Sequence, residues 1–172
     1  ALDDRIPNMA IFIYPYVSWF PYIVVCAALA IKNLDDRQFK KAVLVLTTGM
    51  NIFLFISYVW PTGLDFRESI VYDLHTLSGN LLKFVQTVDT PKSVFPSMHV
   101  YVTLVLQYTL EMQKKLVPAL GIWVGRVLAV LIVLSTMFTK QHSAVDVTAA
   151  IVMFAVLALA VEKLVKEPKE GN

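Results

Sequence analysis

Apolar runs separated by short polar connections set the pattern of this chain. Residues 9–31, 42–60, 97–110, 116–138 and 144–161 contain only Arg126 and Asp146 as formally charged side chains. A helix needs about 20 apolar residues to cross a hydrocarbon core of roughly 30 Å, and all but the short third run approach or exceed that length. Each run therefore predicts a membrane-spanning helix. Pro15 and Pro21 predict kinks or irregular first turns in the first of them. Tyr14, Tyr16, Trp19 and Tyr22 cluster near one end, as interfacial anchors do. Residues 61–95 form the longest polar connection. Within it Leu77, Leu81, Leu82 and Val85 recur at helical spacing, which predicts a short amphipathic helix lying at the interface.

Composition supports the same class. The chain is 57% hydrophobic and 16% charged, with a mean hydropathy of +0.63. One soluble core cannot bury that much apolar surface in 172 residues, whereas lipid can cover it. The expected architecture is all-α: a polytopic membrane helix bundle of five spans, forming one domain over residues 1–172. No cleavable signal peptide is visible, since Asp3, Asp4 and Arg5 precede the first run without a small-residue cleavage site. A net charge of +2 with no basic run argues against a nucleic-acid partner. Cys26, the lone cysteine, lies inside an apolar run and can belong to no internal disulfide.

With five spans, the connections fall on two faces. One receives nine basic residues (Lys32, Arg37, Lys40, Lys41, Lys114, Lys115, Lys163, Lys166 and Lys169), the other five (Arg5, Arg67, Lys83, Lys92 and Lys140). The positive-inside rule puts the first face in the cytoplasm and the second toward the periplasm or cell exterior, in a plasma or inner membrane. Arg126 is left out of that count; it is expected to snorkel to the cytoplasmic interface, with an intramembrane ion pair as the alternative.

The chemistry concentrates on the outward face. Between the last two runs stand Lys140, Gln141, His142 and Asp146. Such groups are costly at a membrane boundary unless they have a task. On a helix starting near Ser143, His142 and Asp146 share a face. A carboxylate one turn from an imidazole can hold one ring nitrogen as N–H and leave the other as nucleophile, base or metal ligand. His99, at the start of the third span behind Pro96 and Ser97, belongs to the same membrane face. Arg67 and Lys140 add positive charge at that level, and Lys92 is a further cation there. Two imidazoles, a carboxylate and cations around a helix N-terminus suit phosphoryl transfer.

These residues carry a resemblance. Pro96-Ser97-Met98-His99 is similar to the Pro-Ser-Gly-His motif of the type-2 phosphatidic acid phosphatase superfamily, the integral-membrane lipid phosphate phosphatases. Ser135-Thr136, with His142 and Asp146 following, matches its Ser-Arg-x5-His-x3-Asp motif except at Thr136. Of the Lys-x6-Arg-Pro motif only Arg67 is kept; Trp60 and Glu68 stand at the Lys and Pro positions. The form looks like the branch that includes inositol-phosphorylceramide and sphingomyelin synthases, and the likeness covers roughly residues 50–160. Members of that family commonly have six spans, so the resemblance implies a sixth ahead of Ala1 in the full gene product.

The resemblance implies hydrolysis of a lipid phosphate monoester or diphosphate without metal or other cofactor. By it, His142 is the nucleophile that becomes phosphohistidine, and Asp146 orients it. His99 protonates the leaving alkoxide and then activates water. Arg67, Lys140 and the Ser97 backbone hold the phosphate, with Lys92 as a further candidate. Lys140 is expected to replace the missing Arg of the third motif, one turn beyond Thr136 if the helix continues. Three other readings stay open: transfer of the phosphoryl group to an alcohol instead of water, a metal site built from His99, His142 and Asp146, and a non-catalytic lipid-binding protein.

Overall fold

The computed structural model describes residues 3–63, 70–89 and 94–165. Among them the regular structure is helical. The first apolar run, Ala10–Asn33, is one candidate span in three pieces: a 3-10 turn at Ala10–Phe12, helix α1 at Ile13–Val17 and helix α2 at Trp19–Asn33. Pro21 has no N–H to offer the Val17 carbonyl, and the α-helical pattern lapses between them at Ser18. The Ser18 hydroxyl donates to the Pro15 carbonyl there (2.6 Å).

Helix α3 runs over Asp36–Val59, a full turn earlier than the apolar run suggests. An Asp35–Gln38 capping box starts it inside the charged connection: the Asp35 carboxylate accepts from the Gln38 N–H (2.7 Å). Helix α4, Leu77–Val88, is the expected amphipathic helix, capped by the Thr76 hydroxyl. It buries Leu82 beside Ile13 and Tyr16 but leaves Phe84 and Val88 exposed. Helices α5 (Met98–Met112), α6 (Ala119–Phe138) and α7 (Ala144–Leu164) complete the bundle.

Four candidate spans, Ala10–Asn33, α3, α6 and α7, are long and apolar enough to cross a membrane. Their outward faces present side chains such as Phe20, Phe55, Val127 and Leu159, as expected where lipid rather than water is the solvent. Helix α5, the remaining one of the five expected spans, falls short of that length. At 15 residues it is about 22 Å long, and it packs against α2, α3, α6 and α7 at the centre of the bundle. Its core side chains include Val100, Tyr101, Val105 and Leu110. Tyr101 lies flat on Gly49 of α3, where any Cβ would come within 2.0 Å of the ring, and donates its hydroxyl to the Val45 carbonyl.

Hydrogen bonds and an ion pair between elements identify the two ends of the bundle. At one end the Met9 N–H donates to the Phe138 carbonyl (2.9 Å), and the Ser97 N–H to the Asp146 carbonyl (3.1 Å). At the other, the Asn33 amide donates to Gln113 (3.0 Å), the Arg37 guanidinium to the Val165 carbonyl (2.9 Å), and Lys41 pairs with Glu162. The starts of α5 and α7 thus share the first end with the finish of α6.

Candidate active site

That first end collects the histidines. Helix α6 stops at Phe138 through a Schellman motif: the Lys140 N–H donates to the Met137 carbonyl (3.0 Å) and the Gln141 N–H to the Thr136 carbonyl (2.9 Å). Lys140 takes the left-handed residue of this motif, with φ of 56°. The position favours glycine, and a side chain there costs on the order of 1 kcal/mol. The turn delivers His142 to the start of α7. Ser143 and Asp146 close a capping box there: the Ser143 hydroxyl accepts from the Asp146 N–H (3.1 Å), and Asp146 Oδ2 accepts from the Ser143 N–H (2.8 Å).

His142 and Asp146 are both buried, with His142 Nδ1 3.8 Å from Asp146 Oδ2. That is an electrostatic approach and too long for a hydrogen bond. Nδ1 has no hydrogen-bond partner among the described residues. The carboxylate therefore stands behind the imidazole while serving the helix cap. Across from it lies His99, on the first turn of α5; the two ring centroids are 5.7 Å apart. Residues 43 positions apart in sequence thus face each other.

His99 has a backing of its own that residue spacing did not reveal. Its Nε2 lies 3.0 Å from the Tyr16 hydroxyl, which donates to Asp89 Oδ2 (3.2 Å). A phenol has one proton; if that proton points at the carboxylate, the imidazole N–H must be the donor to Tyr16. Trp19 packs against the same ring at a tilt, with centroids 4.4 Å apart, and its indole N–H has no hydrogen-bond partner among the described residues. Tyr16 and Trp19 read in sequence as interface anchors, and Asp89 stands in the polar connection at the end of α4. The only sequence signal for the two aromatics is their clustering in the first run, which says nothing about a partner 80 or more residues away.

The phosphate-holding groups fare differently. Ser97 is fully buried; its hydroxyl caps Val100 and its N–H is taken by the Asp146 carbonyl, so it joins α5 to α7. Lys140 does not sit on a helical turn beyond Thr136, because α6 has already ended. It is half-buried, and its ammonium donates to the Asp3 carbonyl (2.7 Å), while the Asp3 carboxylate accepts from the Ala144 N–H (2.7 Å). Arg67 and Lys92 lie outside the described residues. Among the described residues, no group of three or more His, Cys, Asp or Glu converges closely enough to hold a metal ion.

No family model, curated protein or solved structure matches the chain.

Proposed function

We propose that this bundle is a histidine-dependent phosphoryl-transfer enzyme that hydrolyses a lipid phosphate monoester or diphosphate without a metal. The observation that carries the reading is the pair His99 and His142, side by side with ring centroids 5.7 Å apart, each with a carboxylate behind it. Asp146 approaches His142 directly; Asp89 reaches His99 through the Tyr16 hydroxyl.

In this reading His142 attacks phosphorus through Nε2, because Nδ1 faces Asp146 and is the nitrogen that keeps its proton. A P–N bond forms as the ester P–O bond breaks. His99, protonated, gives its proton to the departing alkoxide. Water then attacks the phosphohistidine while His99 takes its proton; the P–N bond breaks and phosphate leaves. Tyr16 and Asp89 steady the charged form of His99, and Asp146 that of His142. The starts of α5 and α7 converge here, so their dipoles favour an anion. Arg67 is the cation we assign to the phosphate, with Lys92 beside it. Lys140 supplies long-range positive charge, since its ammonium already serves Asp3. The basic-residue count places this end outside the cytoplasm. An alcohol in place of water gives the transferase version of the same chemistry, with an identical first half.

The deciding experiment is phosphate release by the purified chain from phosphatidic acid, lysophosphatidic acid, phosphatidylglycerol phosphate and undecaprenyl diphosphate, with EDTA present. Release that disappears in His142→Ala supports the reading. No release from any of them, with or without an alcohol acceptor, points to the non-catalytic lipid-binding alternative; activity abolished by EDTA points to a metal site.

A further inference from the structure

An apolar cleft of about 430 Å³ opens beside His99. Val17 and Phe20 form one wall, and Leu81, Phe84, Val85 and Val88 of α4 form the other. Its polar lining is Tyr16, Asp89 and His99. The volume is in the range that holds a small amphiphile. Phe20, Phe84 and Val88 are more than half exposed, so the cleft merges with the lipid-facing surface. A second and larger groove, about 630 Å³ between α3 and α7, has no titratable side chain on its lining. Only the first joins an apolar trough to a histidine of the site.

We infer that this cleft between α4 and the α1–α2 segment holds one hydrocarbon chain of the substrate, with the phosphate head at His99 and His142. This rests on the proposed phosphoryl transfer and adds the substrate class: an amphiphile whose phosphate is borne on a single chain that the cleft can grip, such as a long-chain alkyl or lysolipid phosphate. A tail leaving the bilayer for this cleft exchanges one apolar environment for another, so little hydrophobic free energy is gained. What the cleft supplies is position. It fixes the tail along α4 and thereby the distance of the head from His142. The polar groups at its end set where the tail must stop, because an apolar chain pressed farther would leave Tyr16 and Asp89 facing hydrocarbon.

Two measurements on the full chain in lipid nanodiscs test this. The first is photocrosslinking with hexadecyl phosphate carrying a diazirine in mid-chain. Adducts concentrated on Phe20, Leu81, Phe84 or Val88 support the cleft whether or not the probe turns over; adducts on the α3–α7 groove, or spread evenly over the lipid-facing surface, overturn it. The second compares Val88→Trp and Leu81→Trp on hexadecyl and butyl phosphate. Filling the cleft should raise KM for the long chain by about tenfold or more and leave the short chain near wild type. Equal effects on both chains, or none on either in well-folded protein, would sink the idea. Val88 is exposed, so its variant folds even if Leu81→Trp does not. Crosslinks in the cleft without phosphate release from any lipid would leave the cleft standing and reject the hydrolase.

Discussion

The two ends of the bundle use polar side chains to different degrees as cross-links. At the end away from the histidines, polar groups bond one another across helices. Arg126 grips Glu111 with two parallel bonds (2.7 and 2.8 Å), Glu111 accepts from Gln107 (2.8 Å), and Gln107 accepts from Tyr22 (2.8 Å). Tyr108 and Lys41 both reach Glu162. These contacts tie α2, α5 and α6, and α3, α5 and α7. At the histidine end, His142 Nδ1 and Trp19 Nε1 are buried without a hydrogen-bond partner among the described residues, and two imidazoles face each other. Membrane helices use paired polar side chains as glue, and such pairs need no function beyond that. A buried polar atom without a partner costs stability, and a site that must meet a ligand is one reason to keep it.

The contrast makes strong demands of the histidine end. His142→Ala and His99→Ala should each lower turnover by at least about a hundredfold while the thermal midpoint stays near wild type. Phosphate release and circular-dichroism melting, measured on the same preparations, check this. A variant that melts early yet keeps its turnover would make that histidine structural.

Asp146→Asn should cost on the order of tenfold to a hundredfold in kcat, because an amide still accepts from the Ser143 N–H but cannot balance a charged imidazole. Asp146→Ala should also lose the half of the capping box in which the Ser143 N–H donates to the carboxylate, about 1 kcal/mol of stability, visible in a denaturation curve; the Ser143 hydroxyl still caps α7. Equal activity in Asn and wild type would reduce Asp146 to its capping box. Tyr16→Phe should lower kcat by about tenfold and leave KM nearly unchanged, since it removes a hydroxyl worth one hydrogen bond to a charged group without emptying the core. A KM effect alone would assign Tyr16 to substrate packing instead.

Glu111→Gln sharpens the other side of the comparison. It should lower the thermal midpoint and leave turnover near wild type, because the Glu111–Arg126 fork joins α5 to α6 far from the histidines. Loss of turnover with an unchanged midpoint would erase the distinction between the two ends. The smallest effect is expected at Lys140, where Gly should be more stable than Val by about 1–2 kcal/mol, read from chemical denaturation, because the position is left-handed. Equal stabilities would show that the Schellman turn does not persist in solution.

Arg126 illustrates how far sequence reading reached. A charged residue inside an apolar run announced that it must snorkel or find a partner; the hairpin between α5 and α6 supplied Glu111. The start of α3 is written in Asp35 and Gln38, a capping-box signal that lies outside the apolar run and so escapes a reading by hydrophobicity. The Ser143–Asp146 spacing was visible too, and it serves the helix cap whatever else Asp146 does.

What the residues determined by themselves is the helical class, the order of the passes and the end of the bundle to which His99 and His142 belong. The reason is local: an apolar segment of that length can satisfy its backbone in lipid only as a helix, and the helix ends place whatever residues stand beside them. Tertiary structure alone decided that the two imidazoles come together, that Tyr16 and Asp89 stand behind one of them, and that Lys140 turns into a left-handed corner with its ammonium on Asp3. Those outcomes depend on how helices pack and how one turn closes. Contacts between residues 43 to 137 positions apart leave no periodic trace in a single chain.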